Sequence, residues 1–228
     1  MNNVNIRDSV RRTEDIRFVS GQGTYIDDMN ADGQLVGVFV RSPHAHAAIS
    51  GFDKTDALAL DGVVEVITGA DWAKLGLGFI PSNSAVKENT DGTPIAVPER
   101  SCLAATRVRF VGEPVAMVIA ETLDAAREAR DLVEVDYAPL DAVTHPVKAL
   151  EPGAPQLHNG VDGNLCVHWE LGDGDATEAE LEASDHVVAL ELHNNRVTAA
   201  PIEPRGTLAI PDTETGVTTI YQTTQNIH

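Results

Sequence analysis

Apolar residues fall in short runs separated by Gly, Pro and charged positions, a pattern that predicts many short elements. Leu35, Val36, Val38, Phe39 and Val40 form a nearly continuous β-favouring run ended by Ser42-Pro43, which predicts a strand from Leu35 to Arg41 buried on both faces. Asp53 to Leu60 offers a short helix, with Asp or Thr available as its cap and Gly62 placed to close it. Val63, Val64, Val66 and Ile67 make the next strand. Residues 74–101 are rich in Gly, Pro, Ser and Asn without a sustained period, so a long excursion is expected there. Strands resume at Leu103 to Phe110 and Val115 to Ala120, with Val111-Gly112-Glu113-Pro114 reversing direction between them. The clearest helix follows. Thr122 can cap it, Asp124 complements its dipole, and Leu123, Ala126, Ala129, Leu132 and Val133 trace one apolar stripe. Val133 to Tyr137 then returns to strand, and the order strand, strand, helix, strand gives an α+β fold class.

At the amino end, residues 1–18 are expected to be an arm, charged and aperiodic from Arg7 to Glu14. Gly21 to Asp28 is an extended or turning entry. Pro139, Pro146, Pro152 and Pro155, with several Gly, mark an extended linker over residues 142–164, and the main boundary is expected there. One domain then covers residues 19–141 and a second begins at 165. Cys166 to Leu171, Asp185 to His193, Gly206 to Ile210 and Val217 to Tyr221 are strand candidates, and Asp173 to Ala183 is an acidic, exposed stretch. The sequence ends at Asn226-Ile227-His228 shortly after a strand, so the domain over 165–228 is expected to be truncated.

Charge changes the functional picture by exclusion. The chain has 228 residues, 16 Lys and Arg against 35 Asp and Glu, and a formal charge of −19. That balance opposes nucleic acid and anionic membrane surfaces, which need clustered cations. With 43% hydrophobic residues and the acidic excess spread along the chain, a folded protein is expected in place of a disordered one. Cys102 and Cys166 lie far apart and in no CxxC spacing, so neither a structural zinc nor an iron–sulfur site can be assembled from them. Two lone thiols, no leader-like apolar run and no bilayer-length apolar stretch make a cytoplasmic location without a membrane span the expectation.

Candidate chemistry is sparse. His44 and His46 have an HxH spacing that places both imidazoles on one face of a strand, as some metal sites require, yet a third ligand is lacking and backbone hydrogen bonding serves equally well. No metal ligand is therefore assigned. A hydrolase built on these two histidines would need stoichiometric zinc. Gly21-Gln22-Gly23 lacks the third glycine, preceding strand and following helix of a phosphate loop, and a turn is expected. GxSxG, Walker A and HExxH motifs are absent. Asp173, Asp175, Glu178, Glu180 and Glu182 lack calcium-loop spacing and are expected to form a solvated helix face. Glu203 and Arg205 offer a carboxylate and guanidinium in one loop, for bracing or for an anionic ligand. Gln222, Gln225 and Asn226 bring neutral amides to a strand end, where an amide donates without adding charge.

Ordered segments carry more than any single motif. Gly23-Thr24-Tyr25-Ile26-Asp27-Asp28, Arg41-Ser42-Pro43-His44-Ala45-His46-Ala47, Gly62 to Asp71, Val111-Gly112-Glu113-Pro114-Val115-Ala116, Val133 to Tyr137, Ile202-Glu203-Pro204-Arg205 and Thr224-Gln225-Asn226 occur in this order. Together they resemble the amino-terminal part of the large subunit of molybdenum hydroxylases, the xanthine dehydrogenase, aldehyde oxidase and aerobic carbon monoxide dehydrogenase family. The style is closest to its bacterial carbon monoxide dehydrogenase-like branch. The resemblance implies an α/β hammerhead domain followed by the incomplete start of a molybdopterin-binding domain. It also implies a molybdenum cofactor in the cytosine dinucleotide form, and hydroxylation or oxidation of substrate with water-derived oxygen. Electrons would pass to an iron–sulfur small subunit and an FAD-bearing flavin medium subunit, in a dimer of heterotrimers that includes the remainder of the large subunit. Gln225 matches the family glutamine whose amide approaches the apical ligand of molybdenum, so it is the one catalytic and cofactor-binding residue the resemblance implies here. Glu203 and Arg205 match a motif expected to pack the second domain. The family's glycine-rich GGGFG segment and catalytic glutamate have no counterpart in this sequence, so the chain alone is expected to be inactive. The competing expectation is a non-catalytic acidic α+β interaction module.

Overall fold

A computed structural model describes residues 12–195 and 197–225. Residues 35–189 form one compact unit, while the two ends of the chain, up to residue 34 and from residue 190, form another. In chain order the elements are α1 (Asp15–Val19), β1 (Val36–Arg41), β2 (Ala47–Asp53), α2 (Thr55–Leu58), β3 (Val63–Thr68), α3 (Gly69–Lys74), β4 (Arg107–Val108), β5 (Pro114–Ala120), α4 (Leu123–Leu132), β6 (Glu134–Pro139), α5 (Gly174–Ala183), β7 (Thr207–Pro211) and β8 (Thr218–Gln222).

The 35–189 unit holds two three-stranded antiparallel sheets, ordered β1-β5-β3 and β4-β2-β6. β5 is the middle strand of the first, with Val118 opposite Val38 on one side and Val66 on the other. Flanked on both edges and covered by a helix, it needs compact apolar residues throughout, and Val115, Ala116, Val118 and Ala120 are fully buried. α4 supplies the cover. Its stripe of small residues brings it close to β1 and β5, with Ala126 and Ala129 fully buried, and Thr122 Oγ1 caps it by accepting from the Ala125 amide at 3.2 Å. The core of Val40, Ala47, Val66, Val108, Val115, Val118 and Val133 lies among these elements.

The α+β reading holds, and several local expectations are corrected. β2 and α3 were not anticipated. Ala47–Asp53 carries two Ala, a Ser and a Gly, weak strand formers that are ordered by pairing with β4 and β6. Within Leu103 to Phe110 only two residues form strand, because Leu103 and Ala104 are spent on core packing and the Ala104 amide bonds the Pro114 carbonyl at 2.8 Å. Cys166 to Leu171 is extended without a ladder. Its bonds alternate between backbone and the Asn89 and Thr90 side chains, as where the His168 amide donates to Asn89 Oδ1 at 2.8 Å. Asp185 to His193 is exposed and not in a strand. The last four residues of the expected arm begin α1, and residues 1–11 lie outside the described part. Residues 142–164 contain two short 3-10 turns, Lys148–Leu150 and Asp162–Asn164. Asn164 braces them by donating to the Ala149 and Pro155 carbonyls and accepting from the Leu157 amide.

The six-residue α3 is held by its first turn. Thr68 Oγ1 accepts from the Asp71 amide, Asp71 Oδ2 accepts from the Thr68 amide and hydroxyl, and Lys54 Nζ lies 3.3 Å from the same oxygen. The Thr68 hydroxyl, then its amide, with Lys54 adding, holds the Asp71 carboxyl well below the usual carboxylate range. A depressed folded-state value stabilises above the unfolded value and is lost as pH falls through the folded one. Thr68→Ala is expected to weaken α3 by about 1 kcal/mol at neutral pH. The gap from the parent should narrow below pH ~4, as read from hydrogen exchange of the α3 amides. A gap that does not change with pH would refute the Thr68–Asp71 coupling.

Candidate functional site

The unit formed by the chain ends is organised around the antiparallel pair β7–β8, in register from Thr207 opposite Gln222 to Pro211 opposite Thr218. One residue beyond the ladder, the Gly206 amide donates to Thr223 Oγ1 at 3.1 Å and the Thr223 amide donates to the Gly206 carbonyl at 3.2 Å. The chain leaving β8 is therefore pinned up to two residues before Gln225. On the amino-terminal side, the Tyr25–Asp28 turn is closed by the Asp28 amide donating to the Tyr25 carbonyl and by Asp28 Oδ2 accepting from the Tyr25 amide at 2.9 Å. Glu203 Oε1 accepts from the Ile26 amide at 3.4 Å.

These segments line an open cavity of about 870 Å³ whose lining includes Tyr25, Glu203, Arg205, Gln222, Thr223 and Gln225. The amides of Gln222 and Gln225 and the Thr223 hydroxyl provide neutral donors and acceptors there, with one carboxylate and one guanidinium among them. Of the two uses expected for Glu203 and Arg205, bracing or an anionic ligand, the carboxylate shows the first. It is turned to the Ile26 amide, so its role is to brace the turn. Asn226 lies outside the described residues.

The other candidates resolve into local structure. His46 is buried and its Nδ1 lies 2.6 Å from the Asp141 carbonyl oxygen, while His44 packs its ring on Tyr137 with centroids 4.8 Å apart. The two imidazoles thus serve different partners, and among the described residues no group of three His, Cys, Asp or Glu could hold a metal. Burial pushes the Tyr137 hydroxyl above its ordinary value. Gly21 takes a left-handed turn conformation (φ 71°) after α1, where the Gln22 amide bonds the Arg17 carbonyl. Asp173 caps α5 by accepting from the Ala176 amide at 2.9 Å, and Glu178, Glu180 and Glu182 lie exposed on that helix. Cys102 and Cys166 are half-buried free thiols.

One cluster in the 35–189 unit escaped the sequence reading. Arg109 donates from Nε to the Leu157 carbonyl at 3.1 Å, and its amide donates to Glu113 Oε2 at 2.5 Å. Burial raises the Glu113 carboxyl, and burial with the Arg109 charge lowers His158. The i, i+4 spacing of Arg109 and Glu113 across a Gly-Pro turn was the available signal.

A sequence profile of the a/b hammerhead domain of aldehyde oxidase and xanthine dehydrogenase matches residues 20–141, more than half of the chain. The chain belongs to this family. A molybdopterin cofactor-binding domain profile matches residues 157–228. Among aldehyde oxidase and xanthine dehydrogenase relatives, the carbon monoxide dehydrogenase large chain of Afipia carboxidovorans is 36% identical over 96% of this chain and 27% of its own length. The nicotine 6-hydroxylase large subunit of Paenarthrobacter nicotinovorans is 40% identical over 88% of this chain and 23% of its own. In structure, quinoline 2-oxidoreductase from Pseudomonas putida 86 superposes with a TM-score of 0.81 at 34% identity, over 95% of this chain and 26% of the other. Reconstituted carbon monoxide dehydrogenase from Oligotropha carboxidovorans gives the same TM-score at 35% identity, over 93% and 26%. The chain thus spans about a quarter of the length of these relatives. The fold is that of the family, with a hammerhead domain leading into the start of a molybdopterin-binding domain.

Proposed function

We propose that the chain is the amino-terminal part of the large, molybdopterin-binding subunit of an oxidoreductase in the carbon monoxide dehydrogenase and xanthine dehydrogenase group. It would hydroxylate or oxidise substrate with oxygen drawn from water. The observation that carries this reading is the pair of adjoining profile matches, hammerhead then molybdopterin domain, over nearly the whole chain. The domain limits proposed are 19–141 and 165–228, joined through 142–164. None of the comparisons favours a non-catalytic acidic docking module.

The residues around the cavity fit a cofactor of this kind in chemistry. A pterin with a dinucleotide tail is polar throughout and brings its own sulfur ligands to the metal. Neutral amides and hydroxyls are therefore the useful groups, and a protein-based metal cluster is not required. Gln222 and Gln225, both on the cavity lining, would be the residues to hold it. When bound, the cofactor supplies two-electron redox chemistry and activation of water. Gln225 would supply a donor without net charge to steady charge developing at the reacting oxygen. The cofactor would be molybdopterin cytosine dinucleotide. Electrons would leave through an iron–sulfur small subunit to an FAD-bearing medium subunit, in a cytoplasmic dimer of heterotrimers.

No helix among the described residues is long and apolar enough to cross a membrane. Metal and nucleotide analysis of the purified complete subunit is the test. About one molybdenum per polypeptide, one pterin, and cytidine monophosphate on acid hydrolysis are expected. A fully assembled complex with neither molybdenum nor pterin would overturn the proposal.

A further inference from the structure

We infer that Gly206 is a positioning residue for Gln225, and that it acts by joining the Tyr25–Asp28 turn to the chain that leaves β8. The inference rests on the catalytic reading of Gln225. Gly206 touches both sides of the cavity wall. On one side its amide and carbonyl are hydrogen-bonded to the hydroxyl and amide of Thr223, which extends the β7–β8 ladder toward Gln225. On the other, a Cβ at this position would overlap Ile26 Cγ2 and lie 3.4 Å from Ile26 Cβ. A methyl on a β-branched side chain has little rotamer freedom with which to move away. Nor can the Ile26 backbone yield easily. Its amide is held by Glu203, the Met29 amide bonds its carbonyl at 3.1 Å, and Asp28 closes the turn from both directions.

Any side chain at 206 must therefore displace either the Tyr25–Asp28 turn or the Thr223 strand end. A shift of the Thr223 end is carried to Gln225 two residues on. Gly206 does not have a left-handed φ, so the reason for glycine is the close approach of Ile26 and not backbone conformation.

The test uses the complete holoenzyme. Gly206→Ala should lower kcat by about 10-fold to 10²-fold, the scale of an ångström-sized misplacement, with KM changed much less. The electron paramagnetic resonance signal of pentavalent molybdenum should change with it, while molybdenum and pterin content stay at the parent level. Adding Ile26→Ala to Gly206→Ala removes the overlapping methyl and should restore most of the turnover and the parent signal. Gln225→Ala, run beside them, separates the two readings. If Gln225→Ala alters turnover and signal while Gly206→Ala alters neither, the positioning role is wrong and the reading of Gln225 stands. A loss in Gly206→Ala that Ile26→Ala does not relieve also overturns the positioning role. If Gln225→Ala alters neither readout, the catalytic reading fails and this inference falls with it. Should Gly206→Ala not assemble, Thr223→Val replaces it. That variant removes the hydroxyl that accepts from Gly206 without adding volume, and an unchanged kcat and signal there refutes the inference.

Discussion

Gln225→Ala in the complete large subunit is expected to lower kcat about 10²-fold to 10³-fold, the usual cost of losing one preorganised donor to developing charge. Folding should be little affected, because Gln225 lies past the β8 ladder and lines the cavity wall instead of a core. Gln225→Glu keeps the shape and replaces the neutral donor by an anion, so it should be at least as damaging if the amide works by donation. Steady-state kinetics with molybdenum content measured on the same samples decides the matter. A variant of full metal content and parental kcat would take Gln225 out of the chemistry.

The largest effect on stability is expected at Gly69. This residue opens α3 directly after the Thr68 cap, and a Cβ there would overlap the Ala104 carbonyl oxygen and lie 2.5 Å from the carbonyl carbon and 2.7 Å from Ala105 Cα. All three are backbone atoms, and Ala104 is tied to Pro114, the first residue of β5, so no side-chain rotation relieves the overlap. Gly69→Ala should cost roughly 3 kcal/mol, at the upper end for overpacking. Gly174→Ala makes the contrast. Gly174 starts α5 with open space around its Cα, and the same substitution there should stabilise by a few tenths to about 1 kcal/mol through helix propensity and unfolded-state entropy. Urea titrations of both variants check the pair, and equal midpoints would refute the steric account of Gly69.

These two sites show where the sequence was informative. β1, β3, β5 and α4 were legible as elements because each carries its own period or apolar run, and Thr122 was a visible cap. β1, however, is an edge strand with only Val40 buried and is not covered on both faces as its apolar run predicts. β2 was not legible, since Ala47–Asp53 is strand only by virtue of two neighbours distant in sequence. Asp185 to His193 shows the converse, with a strand-like pattern but no ladder among the described residues. Gly69 carried no signal beyond being a glycine, because its constraint comes from Ala104 and Ala105, some 35 residues away. Of the candidate site, Gln225 emerged only through an ordered set of motifs, and the bracing of Ile26 by Glu203 was invisible for the same reason as β2. Arg109, Glu113 and His158 were missed because their association needs the 142–164 segment to fold back on the strand end.

The hydrogen bond between Ile26 and Glu203 spans 177 positions of sequence. On a ribosome adding about 5 to 20 residues per second, the Tyr25–Asp28 segment leaves the tunnel many seconds before its partner is made. The intervening 35–189 unit is continuous and can complete its sheets in that interval. The amino-terminal turn can close on its own hydrogen bonds, but its Ile26 amide must wait for Glu203 until that residue emerges. Vectorial synthesis thus sets an order in which the cavity wall holding Gln225 is the last part of this chain to close.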